Sequence, residues 1–282
     1  MDNGRIVFTR FNGDGKEMFN DLYAIDPDGK NEIRLTMNPG PNGKYVDNAA
    51  PRYNKDRTLI AFLSTKNHER RLYNIFLMDL ATGRTAQITT GDLNISSVDW
   101  SADDSRLVFA GADGKGLQQV HVVKMDGTGF TRLTTGPSEN INPMWSPRGD
   151  YIAFVRFSPG SKSSHILVMD PTGREERQLT TDETLHANPS WSPDGSWLIF
   201  RSDLDTPHLR RLNIDTGDIF LYEPPARGAD SSPVWSGNEI VFSSSCDWEE
   251  ADALANLYRM SDTGENLQRL TTVQAFDYCG DL

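Results

Sequence analysis

Apolar positions along this chain come in short runs, each cut off within a few residues by a turn signal. The stretch "HANPSWSPDGSWLIF" (186–200) shows the pattern: two runs rich in aromatic and β-branched residues flank Ser192-Pro193-Asp194-Gly195. In such a turn Pro presets one backbone dihedral and Gly accepts a positive φ. The same phrase recurs as "DNAAPRYNKDRTLIAF" (47–62), "ISSVDWSADDSRLVF" (95–109), "INPMWSPRGDYIAF" (141–154) and "SPVWSGNEIVF" (232–242). After each copy come a loop and a second pair of runs joined by an Asp-x-x-Gly turn. "NIFLMDLATGRTAQITT" (74–90), "HILVMDPTGREERQLTT" (165–181) and "NLYRMSDTGENLQRLTT" (256–272) are examples. "HLRRLNIDTGDIFLYEPP" (208–225) belongs to the set but lacks the closing Leu-Thr. No segment sustains a 3.6-residue period, so the pattern predicts strands throughout.

The repeat period is roughly 40–50 residues, the spacing of four-stranded propeller blades. We name the strands of a unit A ("NPSW"), B ("WLIF"), C ("ILVMD") and D ("RQLT"). Six B strands are present: "RIVF", "LIAF", "RLVF", "YIAF", "WLIF" and "EIVF". The first has no A strand before it, and "FDYCGDL" (276–282) lies where the next A strand, the sixth, should come. The expectation is one domain over residues 1–282: an all-β six-bladed propeller, its ring closed by the C-terminal strand joining the N-terminal blade. Closure removes the exposed strand edges of an open array. The aromatics ending the A strands (Tyr53, Trp100, Trp145, Trp191 and Trp235) then read as wedges between twisted neighbouring sheets.

The Asn/Asp-x-x-Pro-x-Trp-Ser-Pro-Asp-Gly phrase, the "IAF" after it, "VMD-x-x-G" and the closing "LT" together resemble the TolB-type six-bladed β-propellers over essentially the whole chain. The resemblance implies the fold. Propellers of this kind serve as protein-docking modules of the bacterial envelope, as gating domains on serine peptidases and as metal-dependent oligogalacturonate lyases, so function has to come from the site.

Charge narrows the partners. A formal net charge of −12 argues against nucleic acid and anionic membrane surfaces. No run approaches the ~18 apolar residues of a membrane span, and two cysteines, Cys246 and Cys279, are too few for a disulfide framework or a thiolate metal site. "MDNGRIVFTR" shows no basic-then-apolar leader. A periplasmic or extracellular location is expected if a signal peptide has been removed, and a cytoplasmic one otherwise. The chain is expected to be a monomer.

Two groups of residues are candidates for binding. Repeat register puts Asn48, Asn140, His186, Asp230 and Asp277 in one ring at the start of the A strands, the expected channel mouth. Oxygen-rich rings suit Ca²⁺ or another divalent cation, with Asp230, Asp277 and His186 as its ligands; the other reading has these groups hydrogen-bonding strand ends. Arg10, Arg156 and Arg201 end B strands and either meet an acidic ligand or pair with local carboxylates. Trp248, in the long insertion "CDWEEADALAN" (246–256), either anchors a ligand or packs on its own blade. The histidine cluster of the lyase-like propellers has no match, and neither has Gly-x-Ser-x-Gly. The reading is a non-catalytic module docking another protein through its variable B–C loops and channel mouth. The rival is a carbohydrate-active enzyme, or a binder of sugar or peptide, using a metal at the channel mouth.

Overall fold

A computed structural model describes residues 4–13, 18–37, 43–112, 116–203, 207–222, 229–245, 255–272 and 277–281. It holds six four-stranded antiparallel sheets. Blade 1 is ordered β24 (Asp277–Asp281), β1 (Ile6–Gly13), β2 (Met18–Ile25), β3 (Ile33–Arg34) from the axis outwards. Blade 2 is β4 (Asn48–Tyr53) to β7 (Thr85–Gln87), by way of β5 (Leu59–Ser64) and β6 (Asn74–Asp79). Blade 3 is β8 (Asn94–Trp100), β9 (Arg106–Ala112), β10 (Gln119–Lys124) and β11 (Thr131–Arg132). Blade 4 is β12 (Glu139–Trp145), β13 (Ile152–Phe157), β14 (Ser164–Met169) and β15 (Arg177–Gln178). Blade 5 is β16 (His186–Trp191), β17 (Trp197–Asp203), β18 (Pro207–Asn213) and β19 (Ile219–Leu221). Blade 6 is β20 (Asp230–Ser236), β21 (Glu239–Ser244), β22 (Asn256–Ser261) and β23 (Gln268–Arg269). The predicted closure is therefore present: β24 supplies the innermost strand of blade 1. Among the described residues no helix is long and apolar enough to cross a membrane.

The core lies between blades. B and C strands are buried on both faces, so they read as continuous apolar runs instead of alternating ones, and one apolar cluster fills each seam. The A-strand aromatics sit there as expected. Trp191 packs with Ala153, Ile166 and Val168 of blade 4, and Trp145 with Val108, Val120 and Val122 of blade 3. Each indole also needs a partner for its N–H. Trp100 Nε1 donates to the Arg52 carbonyl at 3.0 Å and Trp191 Nε1 to the Met144 carbonyl at 3.1 Å, each one blade back.

The closing Leu-Thr has a physical reason. The Thr hydroxyl accepts a C-strand N–H of its own blade, as in Val120 N–Thr134 Oγ1 at 2.9 Å and Ile166 N–Thr180 Oγ1 at 3.0 Å. Thr36, Thr89 and Thr271 repeat this in blades 1, 2 and 6. In blade 3 the same hydroxyl donates to Gln119 Oε1 at 2.8 Å, so one buried group fastens the edge strand to its neighbour. The glycine of the C–D turn reaches the adjacent blade: Gly127 and Gly173 have φ of 80° and 83°. A Cβ there would come within 2.7 Å of the Ile88 carbonyl oxygen and 2.9 Å of that of Leu133. Glycine is required at both for dihedral and for space.

The ring is clasped by a buried ion pair between residues 267 positions apart. Arg10 on β1 donates from Nε and Nη2 to the two carboxylate oxygens of Asp277 on β24, at 2.7 and 3.0 Å, and from Nη1 and Nη2 to Glu32. Burial works against the guanidinium's charge, but the bonds to Asp277 and Glu32 outweigh it and hold its pKa above the ordinary value. Burial pushes the Asp277 carboxyl upward, and Arg10 opposes that.

Two outcomes follow. Asp277→Asn leaves Arg10 short of its buried counter-charge, and denaturant unfolding should show a loss of about 3–5 kcal/mol. Thr134→Val keeps the shape but strands the Val120 N–H and removes one of two donors to Gln119 Oε1, and the same measurement should show a loss of about 1–3 kcal/mol; an unchanged midpoint would refute the fastening role.

Candidate functional site: the central channel

The channel is shaped by a defect repeated in the A strands. Pairing of A with B breaks at a bulge between Ala49 and Arg52, Ile95 and Ser97, Ile141 and Met144, Ala187 and Ser190, and Ser231 and Val234. At four of the five a non-glycine residue takes the left-handed conformation: Ala50 (φ 51°), Asn142 (49°), Asn188 (51°) and Ser232 (49°). Asn tolerates this region; Ala and Ser hold it only because the surrounding ladder fixes it. A bulge re-aims side chains. These four residues, with Thr9, Ser97 and the prolines that follow the bulge, line an axial cavity of about 270 Å³. On the side of the A–B turns a second cavity of about 450 Å³ is lined by the edges of Tyr53, Trp100, Trp145, Trp191 and Trp235. Arg52 and Met144 line both and mark the waist.

Arg52 is the charged residue lining the inner cavity among the described residues. Its Nε and Nη1 are buried and have no hydrogen-bond partner, while Nη2 points to the Met144 sulfur at 3.9 Å. Ser97 Oγ, in the same lining, is also buried without a partner. The wider cavity adds Lys55, Arg57, Asp99 and Asp104. Asp104 accepts from Asn54 Nδ2 and the Lys55 N–H, and Asp99 from the Trp145 N–H at 2.8 Å.

Sequence reasoning did not single out Arg52. Its signal was the variable position of the Pro-x-aromatic phrase, occupied by Arg52, Asp99, Met144, Ser190 and Val234. All five line the wider cavity.

The ring residues expected at the channel mouth are held in hydrogen-bond and ion-pair networks at the heads of the A strands. None of Asn48, Asn140, His186, Asp230 and Asp277 lines the two cavities. They stand before the bulge, where the pleat points them along the blade seams, and all are buried. Asn48 accepts from Ser64 Oγ at 2.8 Å and donates to Asp21 one blade back. Asn140 donates to Gln119 at 3.0 Å and accepts from Arg156 Nε at 2.8 Å. His186 Nε2 meets Asp182 at 2.7 Å, and Asp182 also binds Arg210 at 3.0 Å. Burial lowers the His186 pKa while Asp182 resists. Asp230 accepts from Ser244 Oγ at 2.6 Å, with His208 Nδ1 3.9 Å away, and burial raises its pKa.

Among the described residues no three His, Cys, Asp or Glu side chains converge as an ion-binding group, so Asp230, Asp277 and His186 remain in separate networks. The strand-end arginines are likewise committed to carboxylates. Arg10 pairs with Asp277 and Glu32; Arg156 with Glu176 at 2.7 and 2.9 Å; Arg201 with Asp203 at 2.6 and 2.8 Å. Trp248 and Cys246 lie outside the described residues. Cys279 pairs its backbone with Phe8 on β1.

Comparison with known proteins agrees with this architecture. The sequence profile of the TolB beta propeller domain matches residues 2–155 and 42–238. The Tol-Pal system protein TolB of Gluconobacter oxydans (strain 621H) is 29% identical over 218 residues, which cover 61% of this chain and 46% of that protein. The chain thus spans about half the length of such relatives. Among solved structures, TolB from Acinetobacter baumannii superposes with a TM-score of 0.78 at 20% identity, over 99% of this chain and 66% of that one. An oligogalacturonate lyase in complex with manganese gives 0.63 at 14% identity, over 89% and 70%. At these identities the superpositions speak to the fold alone. With six blades, their repeated phrase and a profile match spanning most of its length, the chain belongs to the TolB beta propeller domain family.

Proposed function

We propose that this propeller is a non-catalytic docking module whose partner is another protein, engaged at the face of the B–C loops and the channel opening there. The observation that carries the reading is the asymmetry of the two faces. A–B and C–D connections are tight and repeat from blade to blade. B–C connections range from three residues after β17 (204–206) to eleven after β21 (245–255). Variable loops on a rigid, repeated scaffold are where recognition resides. Similarity to a protein of the Tol-Pal system supports a protein partner.

The test pits the two faces against each other. Purified protein is used to capture partners quantitatively from an extract of its own source. It is compared with a loop-face variant (Glu69→Lys with Arg70→Glu) and a turn-face variant (Lys30→Glu with Asp56→Lys). All four positions are exposed. A stoichiometric partner held by the wild type and the turn-face variant, but at least tenfold weaker on the loop-face variant, is expected. A partner lost only on the turn-face variant, or turnover of an oligogalacturonide by the purified protein, would overturn the reading.

A further inference from the structure

We infer that the waist of the channel is a carboxylate-binding site built on Arg52. The inference goes beyond the docking reading: it assigns chemistry to the channel interior and holds whether or not the loop face carries a protein. A guanidinium is costly to bury unless its donors are paired. Elsewhere in this fold that cost is met: Arg10, Arg156 and Arg201 each hold a carboxylate. Arg52 departs from the pattern. Two of its nitrogens are buried without a partner and the third reaches only a thioether, a weak acceptor. A second orphan, the Ser97 hydroxyl, lines the same cavity. Unsatisfied buried polar groups in a native fold call for a specific explanation, and two in one cavity point to a guest.

The chemistry of the guest follows from the lining. One unpartnered cation selects one negative charge. Each edge of a guanidinium offers two parallel N–H groups that match the two oxygens of a carboxylate. Both edges share Nη2, so seating the carboxylate displaces the Met144 sulfur contact. The side-chain amides of Asn142 and Asn188 and the hydroxyls of Ser97 and Ser232 remain for further hydrogen bonds. Multiply charged anions fit poorly. The chain carries a net −12, and Asp99 lines the wider cavity beside the same arginine. A volume of about 270 Å³ accommodates a small carboxylate or the end of one acidic side chain and leaves no room for a folded domain. The bulge residues Ala50, Asn142, Asn188 and Ser232 hold their left-handed conformations around the same cavity. Such strain clusters at ligand clamps.

The two sources of this chemistry, a free small carboxylate and an acidic side chain of a peptide, are separated by the probes. Calorimetric titrations use propionate against propionamide, and a capped Gly-Gly-Glu-Gly-Gly peptide against its Gln counterpart, on wild type, Arg52→Gln, Arg52→Met and Ser97→Ala. A carboxylate of either kind should bind, with its amide counterpart at least tenfold weaker. Ser97→Ala should weaken binding severalfold and Arg52→Gln at least tenfold. The tighter of the two probes identifies the source. Without ligand, Arg52→Met should melt at or above the wild-type temperature, because the arginine it removes has two buried donors without a hydrogen-bond partner. That arm separates a ligand site from a structural arginine, which would melt lower on removal. Absence of binding by both carboxylates at millimolar concentration, binding undiminished in Arg52→Gln, or a lower melting temperature for Arg52→Met would overturn the inference.

Discussion

A four-stranded sheet with two apolar faces cannot stand alone in water. Everything in this molecule follows from that constraint. Each blade buries one face against the blade before it and the other against the blade after it, so only a closed ring leaves no face bare. The large ring ending each A strand from blade 2 to blade 6 packs into the seam between two twisted sheets. The same rings present their edges to the channel, so core and cavity wall are one set of residues.

Closing the seams apolar-to-apolar leaves the polar ends of the strands to be satisfied. The fold does so with a repeated kit: a Thr after each D strand, a polar residue at the head of each C strand, and a polar residue at the head of each A strand. Asn48 with Asp21 and Asn140 with Gln119 show how the kit crosses from one blade to the next. Blade 5 departs from it. It lacks the Leu-Thr, and there Tyr222 donates its hydroxyl to the Asp262 carbonyl of blade 6. The polar seam is therefore a structural device, and the carboxylates and histidine within it are occupied by neighbours.

The blades, their number and the closing strand were legible in the sequence, because turn chemistry and apolar runs are local signals repeated six times. The seam role of the aromatics was legible for the same reason. The direction of the A-strand side chains was not. Counting positions along an ideal strand sends Asn140 and His186 to the axis. The bulge adds a residue, and the pleat beyond it reverses, so Asn142 and Asn188 reach the axis instead. A bulge occupied by Asn carries a faint signature, and one occupied by Ala50 or Ser232 carries none. Arg52 was hidden differently: it sits in the most variable position of the phrase, where a search for repetition does not look.

The clasp between Arg10 and Asp277 has a consequence in time as well as in stability. Its halves are 267 residues apart. At a synthesis rate of about 5–20 residues per second, the first must wait roughly 13–53 s for the second to be made. Throughout that interval the first three strands of blade 1 lack their inner neighbour, and the seam formed by Ile6, Phe8 and Ile25 has no blade 6 to cover it. The order of birth thus makes the last strand a lock that cannot be turned early. A nascent chain has to pass through a stage in which an apolar sheet edge faces the cell, and shielding of that edge during synthesis becomes part of how this ring is made.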